Sequence, residues 1–136
     1  MKIIVDTCIW SLALRRANRG SGPVITALEQ LIHDARVQML GPIRQEILSG
    51  IKSTSQFDQV SEIMRAFPDS PLQSDDYELA ARFFNRCRGK GIQGSNTDFL
   101  ICSLAARLKM PIFTVDNDFL HFSEHLPIHL FQVNIT

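Results

Sequence analysis

The chain has 136 residues, of which 45% are hydrophobic, and its 14 basic and 14 acidic residues give a formal net charge of zero. This length predicts one folded domain with a single core, and the neutral balance argues against binding nucleic acid through bulk positive charge. No apolar run approaches the roughly 20 residues of a membrane helix, and the first residues lack a signal-peptide pattern, so we expect a cytoplasmic protein.

The predicted elements alternate between short strands and amphipathic helices. The first residues form an apolar run rich in β-branched side chains, which is typical of a buried strand and ends on Asp6. Candidate helix caps are Thr7, Ser74 and a capping box of Ser95 with Asp98. In chain order, we predict a strand over 2–5, helices over 7–14 and 23–34, a strand over 37–40, helices over 42–50 and 54–67, a short edge strand within 67–72, a helix over 75–88, a helix from 95–98 to about 108, a strand over 111–115, a helical turn after 118 and a strand over 128–131.

Apolar faces and cysteine spacing give specific expectations of burial. Phe57 and Ile63 lie on the apolar face of the helix over 54–67, and Tyr77 lies on that of the helix over 75–88. The cysteine spacing fits neither a zinc site nor a disulfide framework, so we expect free thiols that are at least partly buried. The cysteines are Cys8, Cys87 and Cys102.

Acidic residues follow predicted strands or occupy first helical turns. The alternation of elements predicts a parallel sheet with helices on both faces, and right-handed crossovers bring the strand ends to one edge, where open α/β sheets bind ligands. Taken singly, each acid has an ordinary explanation as a capping, turn-forming or solvated residue. The acids are Asp6, Glu46, Asp98, Asp116 and, as a fifth, Asp118.

As a set, these acids predict a metal site. Carboxylates that lie close together repel one another, and their pKa values rise unless a cation neutralises them. Oxygen ligands without an accompanying His or Cys pattern favour a hard cation, Mg²⁺ or Mn²⁺. Such ions activate water and stabilise the charge that develops on a phosphate during hydrolysis.

Four segments around the acids resemble those of PIN-domain ribonucleases, and more narrowly those of the VapC toxins of toxin–antitoxin pairs. The resemblance covers essentially the whole chain, so that residues 1–136 are identified as a single PIN domain. The match is most specific in the last of the four segments, 114–119. The segments are 4–7 (IVDT), 44–50 (RQEILSG), 97–101 (TDFLI) and 114–119 (TVDNDF).

The resemblance implies both a fold and an activity. The fold would be a three-layer α/β/α arrangement with four or five parallel strands in the order 3-2-1-4-5. The activity would be that of a metal-dependent endoribonuclease acting on structured RNA such as transfer RNA or ribosomal RNA. A cognate antitoxin would block the site, and the toxin would form a homodimer.

The resemblance also assigns roles to individual residues. Asp118 would add a metal contact through a bound water, while the hydroxyls of Thr7 and Thr114 would orient the metal-binding carboxylates. Cys8 stands where many relatives have serine or asparagine. The residues that match the catalytic acids, which would bind Mg²⁺ or Mn²⁺, are Asp6, Glu46, Asp98 and Asp116.

Basic side chains near the predicted site are candidates for contact with RNA phosphates, which position a strand without reading its sequence. A single basic residue of this kind is more often just a solvated charge. As a group near the rim of the site, Arg86, Arg88 and Lys90 are the ones for which we favour contact with RNA. Trp10 and Phe119 could stack on bases, but we favour a place in the core for both. The full set of basic candidates is Arg15, Arg16, Arg19, Arg44, Lys52, Arg86, Arg88 and Lys90.

Several alternatives stand beside the toxin interpretation. A receiver domain needs an adjacent pair of acids after the first strand, and only Asp6 is there. The 116–118 segment resembles the Asp-x-Asp motif of a phosphatase, but it follows the penultimate strand instead of the first. Within the PIN fold, a housekeeping RNA-processing nuclease and a non-catalytic RNA-binding module stay open.

Overall fold

Three parallel strands and seven helices make up the described part of the chain. The computed structural model describes residues 1–15 and 22–133. The strands are β1 (Ile3–Val5), β2 (Val37–Gln38) and β3 (Ile112–Phe113). The helices are α1 (Thr7–Leu14), α2 (Pro23–His33), α3 (Gly41–Ser49), α4 (Thr54–Met64), α5 (Ser74–Arg88), α6 (Asn96–Leu108) and α7 (Asn117–Ser123).

The sheet is parallel, as predicted, with the order β2-β1-β3. Four or five strands are expected from the sequence, whereas the described residues form three. The two predicted edge segments each contribute a single parallel bridge, Met39 with Asp69 and Ile112 with Leu130. Pro68 and Pro71 flank the first bridge and have no backbone N–H to extend the pairing. The order 3-2-1-4-5 stays a prediction.

Both faces of the sheet are covered. Consecutive strand residues point to opposite faces, and Ile3, Ile4 and Val5 are each at most 1% exposed. Trp10 and Phe119 are also buried, which confirms the core position expected for them. The central strand therefore runs through the core, and Asp6 directly follows its last residue.

Aromatic rings fill the core beside α6 and α7. The ring of Phe122 lies 4.8 Å from that of Phe99 and 5.2 Å from that of Phe119 between centroids. Gly94 fits beneath this cluster because it has no side chain. A Cβ there would lie 2.6 Å from Phe122 Cζ and 2.9 Å from Phe99 Cε2. The loop that precedes α6 can therefore approach the core only with glycine at this position.

Helices α5 and α6 are joined by a half-buried ion pair that the sequence does not predict. Arg107 donates from Nε to Asp76 Oδ1 at 2.6 Å and from a terminal nitrogen to Asp76 Oδ2 at 3.0 Å. Asp76 is 1% exposed and also accepts the backbone N–H of Gln73. The hydrogen bond from Arg107 holds the pKa of Asp76 below its ordinary value. Asp76 and Gln73 form the start of α5, so the predicted cap at Ser74 is wrong by one residue.

Three expectations of burial are wrong. Phe57 is 37% exposed, Ile63 is 53% exposed and Tyr77 is 54% exposed. Only Val60 and Met64, one turn apart, are buried on α4, so the apolar stripe that contacts the core is narrower than the sequence pattern suggests. Tyr77 lies beside the buried stripe of α5 instead of within it.

The cysteines are buried to the extent expected from the sequence. Cys87 and Cys102 are buried free thiols, and Cys8 is a half-buried one. None of the described helices combines the length and the apolar character that a membrane-spanning segment requires.

Candidate active site

Asp6 follows β1 and is held in place by three donors. Its Oδ1 accepts the backbone N–H of Thr7 at 2.8 Å, so Asp6 itself is the cap of α1 and the predicted capping role of Thr7 is wrong. Its Oδ2 accepts the hydroxyl of Thr114 at 2.8 Å and the thiol of Cys8 at 3.5 Å. Burial raises the pKa of Asp6 and the charge of Asp98 adds to the rise, while the hydrogen bonds oppose it. The result is a fixed, poorly solvated carboxylate.

Thr7 connects Asp6 to the acid on α3. While its backbone N–H donates to Asp6 Oδ1, its hydroxyl donates to Glu46 Oε1 at 2.8 Å. Residues 39 positions apart in the chain are thereby brought to one place. Thr114 makes the corresponding connection beyond β3, because its Oγ1 donates to Asp6 and accepts the backbone N–H of Asp116 at 3.0 Å. Each threonine hydroxyl therefore donates to one of the predicted site acids, Thr7 to Glu46 and Thr114 to Asp6.

Asp98 lies in the first turn of α6, within the predicted capping box. Its Oδ2 accepts the backbone N–H of Ser95 at 3.1 Å, and the Ser95 hydroxyl accepts the backbone N–H of Asp98 at 3.1 Å. Burial raises the pKa of Asp98, and the charges of Asp116 and Asp118 raise it further. Because Asp98 also raises the pKa of Asp6, the carboxylates of β1, α6 and α7 share one electrostatic environment.

Asp116 and Asp118 lie at the start of α7 and are exposed. Asp116 caps this helix by accepting the backbone N–H of Asp118 on Oδ1 at 2.9 Å. Its other oxygen has no hydrogen bond among the described residues. These two acids therefore form the solvent-facing side of the site, and Asp6 forms its buried side.

None of the predicted site acids forms an ion pair in the described part of the chain. The ion pairs there are those of Arg44 with Asp69, Arg65 with Glu62, and Arg107 with Asp76. None includes a predicted site acid.

A divalent ion fits the donors that are present, although they do not form a closed cage. Within 1–15 and 22–133, no three His, Cys, Asp or Glu side chains stand close enough together to hold one ion. Mg²⁺ does not require such a cage, since it keeps several waters and is commonly held by one or two carboxylates. Asp6, which is buried, and Asp98, which is half-buried, offer two such carboxylates, and neither forms an ion pair among the described residues.

Cys8 occupies a hydrogen-bonding position beside Asp6. Its sulfur lies 3.4 Å from Thr114 Oγ1 and accepts the backbone N–H of Val115 at 3.5 Å. Burial raises the pKa of this thiol, so it stays protonated and can donate to Asp6. A thiol in this place thus makes the contacts of a serine hydroxyl with a weaker donor.

The exposed basic candidates lie in three places. Arg15 is exposed at the end of α1 and lines a groove with Glu46, while Arg86, Arg88 and Lys90 are exposed around the end of α5. Lys52 is exposed between α3 and α4. Arg16 and Arg19 lie outside the described residues.

Arg44 has a structural role that the sequence does not reveal. Its guanidinium pairs with Asp69 at 2.9 Å and donates to the backbone oxygens of Met64 and Phe67. These bonds tie α3 to the segment after α4. We therefore assign Arg44 to packing instead of RNA contact.

The sequence profile of the PIN domain family matches residues 3–124. The chain belongs to the PIN domain family. No curated protein matches the sequence significantly. Solved structures place the chain within the same PIN fold, although their sequences are distant.

Three structural neighbours illustrate this similarity. A chain of the FitAcB crystal structure from Neisseria gonorrhoeae has a TM-score of 0.76 at 18% identity, with 96% of each chain covered. A chain of VapBC2 from Rickettsia felis, bound to a DNA fragment from its promoter, has a TM-score of 0.77 at 17% identity, covering 98% of this chain and 100% of that one. A chain of VapBC-5 from Mycobacterium tuberculosis, a member of the VapBC family of toxin–antitoxin systems, has a TM-score of 0.70 at 20% identity, covering 97% and 98%.

Proposed function

We propose that this PIN domain is a metal-dependent endoribonuclease of the VapC toxin type, which cleaves structured RNA and is neutralised by a cognate antitoxin. The observation that carries the proposal is the buried carboxylate of Asp6 beside Asp98, with no cation paired to either in the described residues. The toxin assignment is supported by neighbours of nearly equal length, whose structures include members of toxin–antitoxin systems.

Of the predicted acids, Asp6 and Asp98 would hold the ion directly, while Glu46, Asp116 and Asp118 would contact waters bound to it. Mg²⁺ or Mn²⁺ bound there would activate water and offset the charge that develops on the phosphate. The hydroxyl of Thr7 keeps the carboxylate of Glu46 in a fixed orientation, and the hydroxyl of Thr114 does the same for Asp6.

One of the site carboxylates would take the proton of the attacking water. Water then adds to the phosphorus, the bond from phosphorus to the 3′-oxygen breaks, and that oxygen leaves as a hydroxyl after taking up a proton. The products are a 3′-hydroxyl end and a 5′-phosphate end.

Cleavage of transfer RNA and ribosomal RNA tests the enzymatic part of the proposal. Cleavage should need Mg²⁺ or Mn²⁺, stop with EDTA and fall at least 100-fold in Asp98→Asn, while the exposed-acid control Asp58→Asn stays active. Equal cleavage with Mg²⁺, with EDTA and in Asp98→Asn would reject the assignment. Products ending in 2′,3′-cyclic phosphate would also reject it, because a 2′-hydroxyl nucleophile needs no activated water.

The toxin part has its own test. A gene beside this one that encodes a short DNA-binding protein, whose product forms a complex with the chain and stops its cleavage of RNA, would support a toxin. A nuclease with no such inhibitor would instead be a housekeeping RNA-processing enzyme. Binding of RNA without cleavage would leave a non-catalytic module. As a toxin, the chain would be a cytoplasmic homodimer, and size-exclusion chromatography with light scattering measures that state.

A further inference from the structure

Two neighbouring cavities lie beside the end of α5 and the start of α7. The first, which we call the Phe84 pocket, has a volume of about 230 Å³ and is lined by Phe84, Arg88, Ile92, Gln93, Gly94 and Phe99. The second, the Asp118 cleft, has a volume of about 430 Å³ and is lined by Gly91, Ile92, Gln93, Asp118 and His121. Ile92 and Gln93 line both, so the two cavities are neighbours along the 89–94 loop.

The Phe84 pocket is suited to a flat, apolar group. Its volume is below the roughly 300–1,000 Å³ of sites that hold drug-sized ligands, so it can take a single ring system. The rings of Phe84 and Phe99 lie 5.3 Å apart, and Ile92 adds a third apolar wall. Of the two rings, Phe99 is 1% exposed and forms the floor of the pocket. Phe84 is half-buried and offers the kind of aromatic surface on which proteins stack unpaired nucleobases.

Arg88 is held at the rim of the pocket with most of its donors unused. It gives one hydrogen bond of 2.9 Å to Asn85 Oδ1, and its guanidinium carbon lies 5.5 Å from the centroid of the Phe84 ring. It forms no ion pair among the described residues. Of its five N–H groups, four are left for an acceptor, which makes it a positioned cation for a phosphate oxygen.

Gln93 supplies the only amide side chain that lines both cavities within the described structure. It is exposed and has no hydrogen bond among the described residues. An amide offers both a donor and an acceptor, and can therefore pair with the edge of a base.

We propose that the Phe84 pocket binds one unpaired nucleobase of the RNA strand that reaches the acids, with Gln93 reading its edge and Arg88 binding the adjacent phosphate. The inference rests on the proposed nuclease function and adds a site of base selection to it. Charge favours RNA over a protein as the occupant, because Arg88 lines the pocket and the exposed Arg86 and Lys90 lie within two residues of it along the chain. The pocket is next to the cleft that Asp118 lines, so the selected base would be close to the bond that is cut.

Binding of single-stranded oligoribonucleotides to Asp98→Asn protein, measured by fluorescence anisotropy over a salt series, separates this inference from catalysis. Arg88→Ala should weaken binding at least 5-fold and lower the slope of log affinity against log salt by about 0.7, the value for one phosphate on a single strand. Phe84→Leu should weaken binding by roughly 5- to 100-fold through lost stacking. The control Arg82→Ala removes an exposed charge from the same helix, outside both cavities, and should leave the affinity within 2-fold.

Gln93→Ala tests base selection directly. Among bound members of a randomised oligoribonucleotide pool, wild-type protein should show a base preference at one position, and this variant should flatten it with little change in mean affinity. Thermal unfolding followed by the fluorescence of Trp10 checks that each variant is folded.

Three outcomes would overturn the inference. Unchanged RNA affinity and base preference in all pocket variants would reject the pocket while leaving the nuclease function intact. Loss of self-association or of antitoxin binding in Arg88→Ala, with RNA binding unaffected, would show a protein interface instead. Absence of any RNA binding or cleavage by the wild-type chain would reject the proposed function, and the pocket with it.

Discussion

Thr114 Oγ1 donates a 2.8 Å hydrogen bond to Asp6 Oδ2, and this bond ties the end of β3 to the end of β1 across 108 positions of the chain. The same hydroxyl receives the backbone N–H of Asp116. One small side chain therefore sets the orientation of a buried acid and the start of the helix that carries two more acids.

Replacing Thr114 by valine should reduce kcat/KM for RNA cleavage by about 10- to 100-fold, the range for loss of a group that orients a metal ligand. The shape of the side chain is kept, so the fold should survive. Because the Thr114 hydrogen bond lowers the pKa of Asp6, its loss should raise that pKa, and the acid limb of the pH–rate profile should move to higher pH.

The matched control for this position is Thr114→Ser, which keeps the hydroxyl and should retain most of the activity. An unchanged pH–rate profile and full activity in Thr114→Val would show that the bond has no functional role.

The raised pKa of Asp98 has a consequence for stability without metal. A carboxyl whose pKa is higher in the folded than in the unfolded chain destabilises the fold once the pH exceeds the ordinary value of 3.8, and the cost is complete above the raised pKa. In EDTA at pH 7, Asp98→Asn should therefore unfold at a higher temperature than the wild type. The difference should shrink toward pH 4.

Calorimetric scans at both pH values measure this effect, with Asp58→Asn as an exposed-acid control that should behave like the wild type. A lower unfolding temperature for Asp98→Asn at pH 7 would mean that the bond to Ser95 outweighs desolvation.

Asp76→Asn should destabilise the protein by roughly 1–3 kcal/mol, because Arg107 would be left without its charged partner. The lowered pKa of Asp76 means that the ion pair contributes above the unfolded value of 3.8 and is lost as the pH falls through the folded pKa. Urea unfolding at pH 7 and at pH 3, followed by Trp10 fluorescence, measures the loss.

The wild type and Asp76→Asn should converge in stability at low pH, and RNA cleavage per folded molecule should be the same for both at pH 7. A penalty of the same size at both pH values would point to packing instead of charge.

Gly94→Ala should cost about 1–3 kcal/mol through overpacking, since the new Cβ would meet Phe122 at 2.6 Å. Gly89→Ala is the control in the same loop. Its neighbours would be 3.5 Å away and its backbone is in the right-handed helical region, so the change should be nearly neutral. Equal denaturation midpoints for the two variants would contradict the close approach.

The elements that the sequence predicts well are those fixed by local patterns. The β-branched run before Asp6 forms the central strand, and Ser95 with Asp98 forms the capping box, because both depend on neighbours within a few residues. The grouping of the acids depends on the parallel sheet, which the alternation of elements predicts.

What the sequence does not predict depends on contacts between distant segments. The exposure of Phe57 and Tyr77, the packing role of Arg44 and the pair of Asp76 with Arg107 follow from how helices and edge segments dock. Periodicity shows that a helix has an apolar face, but not how much of that face another element covers. The edge segments form single bridges for a similar reason, since prolines and neighbouring loops limit their pairing.

Binding of Mn²⁺ measured by isothermal titration calorimetry tests most directly whether acids that are distant in the chain bind one ion together. We expect binding to the wild type and to Asp58→Asn, and at least 10-fold weaker binding to Asp6→Asn and to Asp98→Asn, since either change removes a carboxylate from the site. Equal binding by all four proteins, or no binding by the wild type, would contradict a shared metal site at the end of β1.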